Sequence, residues 1–192
     1  MPANEGHEGP LAEFVALRQE IDDFRRAQFQ ILALQLTITG AVFGFVLSAA
    51  NISALLLVLP ISSYLLCGRY VAQHLGTLID ALYIRVELSP RIPGGLGWEA
   101  WRHGPAVSRL GLPLQRRLWL STIPLLLGFP GSAILALAWS ASLFLPLSGP
   151  LTPGEAGLAA VWLIGTTATV ASAWLLILMG RKEVLTMDSD AG

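Results

Sequence analysis

From residue 29 onward the chain alternates between long apolar stretches and shorter polar ones. Residues 29–50 (FQILALQLTITGAVFGFVLSAA) carry no charge over 22 positions. Residues 52–68 (ISALLLVLPISSYLLCG) make a second window of 17, which Arg69 extends by reaching its guanidinium to the headgroups. Residues 118–147 run 30 positions without a charge, and residues 158–179 (LAAVWLIGTTATVASAWLLILM) form the fourth window. A bilayer's hydrocarbon core is about 30 Å thick, so a spanning helix needs roughly 20 apolar residues. Helices this apolar on every side would have no wet face in a small water-soluble bundle. The pattern predicts an all-α, polytopic membrane protein with four transmembrane helices.

The polar segments have their own period. In 1–28, Pro10 suits a first helical position, and Phe14, Leu17, Ile21 and Phe24 then recur at spacings of three and four. Glu13, Glu20, Asp22, Asp23 and Arg25 fall on the other side. After the second window, Val71, Leu75, Leu78, Leu82 and Val86 make a similar stripe, with Gln73, Thr77, Asp80 and Glu87 opposite. The first two spans are joined by a tight turn at Asn51, so their extensions run antiparallel. The expectation is a helical hairpin whose two stripes pack together, completed by another subunit or by the lipid surface.

Charge then orients the chain. Only 13% of the 192 residues are charged, against about 25% in a typical soluble domain. Arg18, Arg25 and Arg26 precede the first span; Arg69, Arg85, Arg91, Arg102, Arg109, Arg116 and Arg117 lie between the second and third; Arg181 and Lys182 follow the fourth. Those are all twelve cations, and the remaining two connections hold no cation. Cationic loops stay in the cytoplasm. Both termini, the segment 69–117 and the tail 180–192 are therefore expected there, in a multi-pass cell-membrane protein. The Arg-rich, Ala/Gly/Leu-rich usage suggests a bacterial source. The first window is too long, and preceded by too much mixed charge, for a cleaved signal peptide.

Within 69–117, Pro90 disfavours helix at Ser89, and Gly94, Gly95 and Gly97 give a turn. Trp98 and Trp101 follow one helical turn apart. Indole and guanidinium beside spans favour the headgroup zone, so the loop reads as an interfacial re-entry element. The expected anchors are Arg69, Trp98, Trp101, Arg116, Arg117, Trp119, Arg181 and Lys182. A sharper reading makes the two tryptophans hot spots for a cytoplasmic protein partner.

Inside the four spans there is no Asp, Glu, Lys, Arg or His. That argues against ion-coupled transport, which relies on intramembrane ionisable groups. Gln30, Gln35, Thr37 and Thr39, and the cluster Thr166, Thr167, Thr169 and Ser172, can line a pore or bond to helices and to their own backbone. Small residues recur four apart in Gly40, Gly44 and Ser48; in Ser132, Ala136 and Ser140; and in Gly165, Thr169 and Ala173. Such faces let helix backbones approach, within the chain or between copies in a homo-oligomer. Pro60, Pro124 and Pro130 interrupt their spans and tend to kink them.

Catalytic chemistry is not visible. Glu99 and His103 share a helix face but lack the third ligand that zinc needs. No nucleophile elbow, phosphate loop or dinucleotide fingerprint occurs. The one cysteine, Cys67, excludes an internal disulfide and reads as a buried small residue, with acylation as the alternative. Asn51-Ile52-Ser53 matches a glycosylation sequon too near the membrane for use. No catalytic residue, cofactor or metal is expected, and no nucleic-acid partner; the lipid bilayer is the expected surrounding. The readings that survive are a non-enzymatic membrane module that self-associates or docks partners and, as the alternative, an oligomeric pore-former or membrane-perturbing effector.

Overall fold

A computed structural model describes residues 5–48, 50–92, 122–144 and 153–188. Among them every residue but Ile92 is helical, and there is no strand. Helix α1 is Glu5–Ser48. A 3-10 stretch, Ala50–Leu57, leads into α2, Val58–Tyr83, which continues as a π turn, Ile84–Leu88, and a short 3-10 turn, Ser89–Arg91. Residues 122–126 and a π turn, Leu127–Gly131, lead into α3, Ser132–Phe144. Helix α4 is Pro153–Asp188. Four helical runs are long and apolar enough to cross a membrane: Gly9–Ser48, Ala54–Arg91, Thr122–Ala141 and Pro153–Gly180.

One expectation about prolines changes. Helix α1 begins at Glu5, so Pro10 lies inside it and forgoes one backbone bond rather than opening the helix. Pro60 lies inside the continuous run Ala54–Arg91, as the third residue of α2, where the 3-10 geometry of the preceding stretch gives way to α. The preceding segment is 3-10 instead of a tight turn into an α-helix, and a 3-10 helix rises about 2.0 Å per residue against 1.5 Å. The 17 residues 52–68 therefore reach about 28 Å rather than about 25 Å, which offsets the shortness of that window.

The chain divides into two units, one of Met1–Phe29 with Ala72–Trp119 and the other of Gln30–Val71 with Leu120–Gly192. In the first, the expected stripe on α1 is the packing face. Ile21 is buried with Ile84, Leu88 and Ile92, and Phe14, Leu17 and Tyr83 pack around them. Each fully buried aliphatic side chain removed from water contributes about 1.5–3 kcal/mol. The expected stripe on α2 holds in its first part, with Val71 buried and Leu75 and Leu78 half-buried, and fails in its second, where Leu82 and Val86 are exposed. There Ile84 and Leu88 are the buried residues. Gly76 is where the two helices come close: a Cβ there would lie 2.8 Å from Cε2 of Phe24, so the ring sits against the glycine's bare backbone.

In the second unit Val42, Val46, Leu56, Leu59 and Ala136 form the buried core, with Ile38, Phe43 and Leu55 against it. Helix α3 packs on α4 and on the 3-10 stretch. Leu36, Leu47, Leu65, Leu163 and Val170 point outward. Outward aliphatic side chains of this number suit a lipid surrounding better than water. Between helices surrounded by lipid, burial contributes through close contact rather than through escape from water.

Candidate functional site: a buried amide cluster in the spanning unit

Gln35 is the one amide buried in the interior of the second unit among the described residues, 1% exposed. It lies about 9 Å along α1 from the start of the apolar window at Phe29, at 1.5 Å per residue. Its Nε2 donates toward Ser63 Oγ at 2.6 Å, Ser132 Oγ at 3.2 Å, Thr39 Oγ1 at 3.3 Å and the Gly128 carbonyl at 3.4 Å. Two amide hydrogens are thus shared among four acceptors, with Ser63 taking the shortest bond. Ser63 and Ser132 are 3.4 Å apart. One side chain of α1 therefore ties α2 to the π turn before α3. The amide oxygen, Oε1, is buried without a partner among the described residues. A buried acceptor left unpaired costs about 1–3 kcal/mol.

The π turn makes this arrangement possible. The backbone N–H of Ser132 donates to the carbonyls of Leu127 and Phe129 rather than to Gly128, four residues back. The Gly128 carbonyl accepts the Ser132 hydroxyl at 2.8 Å as well as the Gln35 amide. Phe129, fully buried, stacks at a tilt on Tyr70 of α2, ring centroids 5.9 Å apart. Pro130 sits inside the turn, so helix α3 accommodates its proline by widening.

The other hydroxyls do something simpler. Thr166, Thr167, Thr169 and Ser172 bond to carbonyls three or four residues back on their own helix, as do Thr37 and Ser140. Trp162 Nε1 donates to the Leu137 carbonyl at 3.3 Å, joining α4 to α3. The Cys67 thiol is buried and donates to the Ser172 carbonyl at 3.7 Å. Among the described residues no group of three or more His, Cys, Asp and Glu can hold a metal ion.

The small-residue faces separate into two kinds. Ser132, Ala136 and Ser140 are buried, and so are Gly165 and Thr169, with Ala173 half-buried. A Cβ on Gly165 would lie 3.1 Å from Cβ of Pro60 and 3.4 Å from Leu137 Cδ2. Gly40, Gly44 and Ser48 are exposed, and a Cβ on either glycine would meet nothing within 4 Å. They belong to a longer exposed row on α1, Gln30, Ala33, Thr37, Gly40, Gly44 and Ser48, at helical spacings of three and four. No structure-free signal separated these faces, since their spacing is the same.

Comparison with protein-family models, curated proteins and solved structures finds no match to this chain.

Of the expected membrane anchors, Arg69 is exposed. Arg181 and Lys182 lie within α4. Trp98, Trp101, Arg116, Arg117 and Trp119 fall outside the described residues, as do Glu99 and His103. The first unit contributes two perturbed groups. Burial, and then the Glu20 carboxylate on the facing helix, raise the Asp80 pKa, and Asp80 Oδ2 is buried without a partner among the described residues. The Tyr83 phenol is raised chiefly by donating to Glu13 at 2.7 Å, a bond that joins the two helices.

Proposed function

We propose that this chain is a multi-pass cell-membrane protein with both termini cytoplasmic, and that it acts without catalysis as a module that self-associates through the outer face of α1. The carrying observation is the row Gln30, Ala33, Thr37, Gly40, Gly44 and Ser48. It is small or polar along its length, exposed throughout, and without a neighbour at its glycines. The comparable faces of α3 and α4 are already consumed inside the chain. In lipid, helices associate by close backbone approach, which a small-residue face permits and a leucine-covered face does not. The one-sided distribution of cations supports the orientation.

Energy transfer between labelled copies in liposomes, measured while lipid is diluted in, tests the association. The pair Gly40→Leu/Gly44→Leu should weaken it by about tenfold or more, equivalent to about 1.4 kcal/mol. Helix content should not change, since the added side chains meet only lipid. A wild-type chain that is monomeric at every dilution, or a variant that associates as well as wild type, overturns the proposal. Dye release from the same vesicles would favour the pore-forming alternative instead. Cysteines placed at Asn51 and Gly154 should react with impermeant reagents from outside intact cells, and silence at both would reverse the orientation.

A further inference from the structure

We propose that the turn Leu127–Gly131 is a two-register element, and that the Gln35 amide selects the register seen here. The backbone at this point is divided between hydrogen-bonding patterns. Ser132 donates five residues back to Leu127 and three residues back to Phe129, straddling the α-helical acceptor, Gly128. Side chains reach that acceptor instead: the Ser132 hydroxyl at 2.8 Å, which also lies 3.0 Å from the Phe129 carbonyl, and the Gln35 amide at 3.4 Å. Gln35 also holds the Ser132 hydroxyl itself, at 3.2 Å, and is anchored on α2 through Ser63 at 2.6 Å. Releasing the amide frees the Gly128 carbonyl to take back the Ser132 N–H.

The alternative register removes one residue from the wide turn. Everything from Ser132 onward then turns by about 100° and moves by about 1.5 Å. Ala133, Ala136, Leu137 and Ser140, buried here, would exchange places with their neighbours, Ile134, Leu135 and Trp139 being exposed. Two features set the balance. Gly131 tolerates the wide turn, where a Cβ would stand 3.0 Å from the Leu126 carbonyl oxygen. Pro130 opposes the α register, because its ring meets the carbonyl four residues back. The amide and the proline thus pull the same way, and interiors of this density settle into discrete packings rather than intermediate ones.

A nitroxide scan of positions 133 to 140, in a Cys67→Ala chain in bilayers, reads the phase of α3 from oxygen accessibility. The wild-type minima should fall at 133, 136–137 and 140. Gln35→Leu should move the minima by one residue, in part or wholly, and Gln35→Leu/Pro130→Ala should move them completely. Pro130→Ala alone, with the amide intact, should keep the wild-type phase. The proposal is overturned by an unchanged phase in both Gln35→Leu and the double variant, or by Pro130→Ala alone moving the phase as far as the double variant. A uniform rise in accessibility without a phase also overturns it, since the amide would then only hold the helices together. Ser63→Ala, which removes the shortest bond and touches no backbone, supplies the same reading if Gln35→Leu does not fold: a partial phase shift supports the proposal, and an unmoved phase overturns it.

Discussion

Replacing Gly76 by alanine sets two effects of known sign against each other. In the interior of a helix the methyl group gains about 1 kcal/mol of propensity over glycine. At Gly76 it would also stand 2.8 Å from Cε2 and 2.9 Å from Cζ of Phe24, so the ring must retreat by about 0.6 Å to reach ordinary contact. Overpacking of this kind costs about 1–3 kcal/mol. Gly76→Ala should therefore destabilise the hairpin by about 0–2 kcal/mol, the difference of the two. Gly68, on the same helix, meets nothing within 4 Å and serves as the control. Gly68→Ala should stabilise by up to about 1 kcal/mol. In a Phe24→Leu background the ring is gone, and Gly76→Ala should change sign and stabilise. Thermal unfolding in mild detergent, with hydrogen exchange of the amides flanking residues 21 and 84, measures both. If Gly76→Ala stabilises as Gly68→Ala does, or if its sign ignores Phe24, the Phe24 ring does not sit against Gly76.

Asp80 gives a pH dependence. Its folded pKa is raised above the unfolded value of about 3.9, so its contribution to hairpin stability is fully present below pH about 4 and is lost as pH rises through the folded value. Asp80→Asn should accordingly be more stable than wild type at pH 7, with the gap closing below pH about 4; a variant less stable at pH 7 would show the carboxylate to be usefully paired. Gly165→Leu should cost at least about 2 kcal/mol in detergent-induced unfolding, because Pro60 and Leu137 already touch that position, whereas Gly44→Leu leaves the fold of one copy intact. Equal effects at the two glycines would contradict the division between inner and outer small-residue faces.

The sequence shows the helices plainly because lipid imposes a length and a polarity that few other structures need. It shows the stripe on α1 for the same kind of reason: Phe14, Leu17, Ile21 and Phe24 are large, regularly spaced and flanked by acids. On α2 the period places Val71, Leu75 and Leu78 correctly but not Leu82 and Val86, which are exposed. Period alone cannot weigh a glycine, and Gly76 is the position against which the Phe24 ring sits. The 3-10 stretch before α2 and the two π turns were also invisible. They depend on which carbonyl a particular N–H finds, a choice made by tertiary neighbours. Gln35 was recognisable as an unusual residue, and Ser132 as a small one. Their meeting with Ser63, 28 positions from Gln35, required the packing of three segments.

The polar atoms of the spanning unit follow two rules with different consequences. A hydroxyl that bonds to its own helix is satisfied wherever that helix goes, so Thr166, Thr169 and Ser172 place no condition on how α4 packs. An amide cannot be satisfied that way and must find partners on other segments. Interhelical bonds in membranes contribute about 0.6 kcal/mol each on average, while the unpartnered Oε1 costs about 1–3 kcal/mol. On those figures Gln35 adds little net stability and can subtract from it. What it adds is discrimination. Apolar helices in lipid have no solvent to escape, so several registers of nearly equal packing compete, and only those that keep Ser63, Ser132 and Gly128 within reach of one amide satisfy its nitrogen. The residue that looks most out of place in the apolar window is the one that makes a single arrangement preferable to its neighbours.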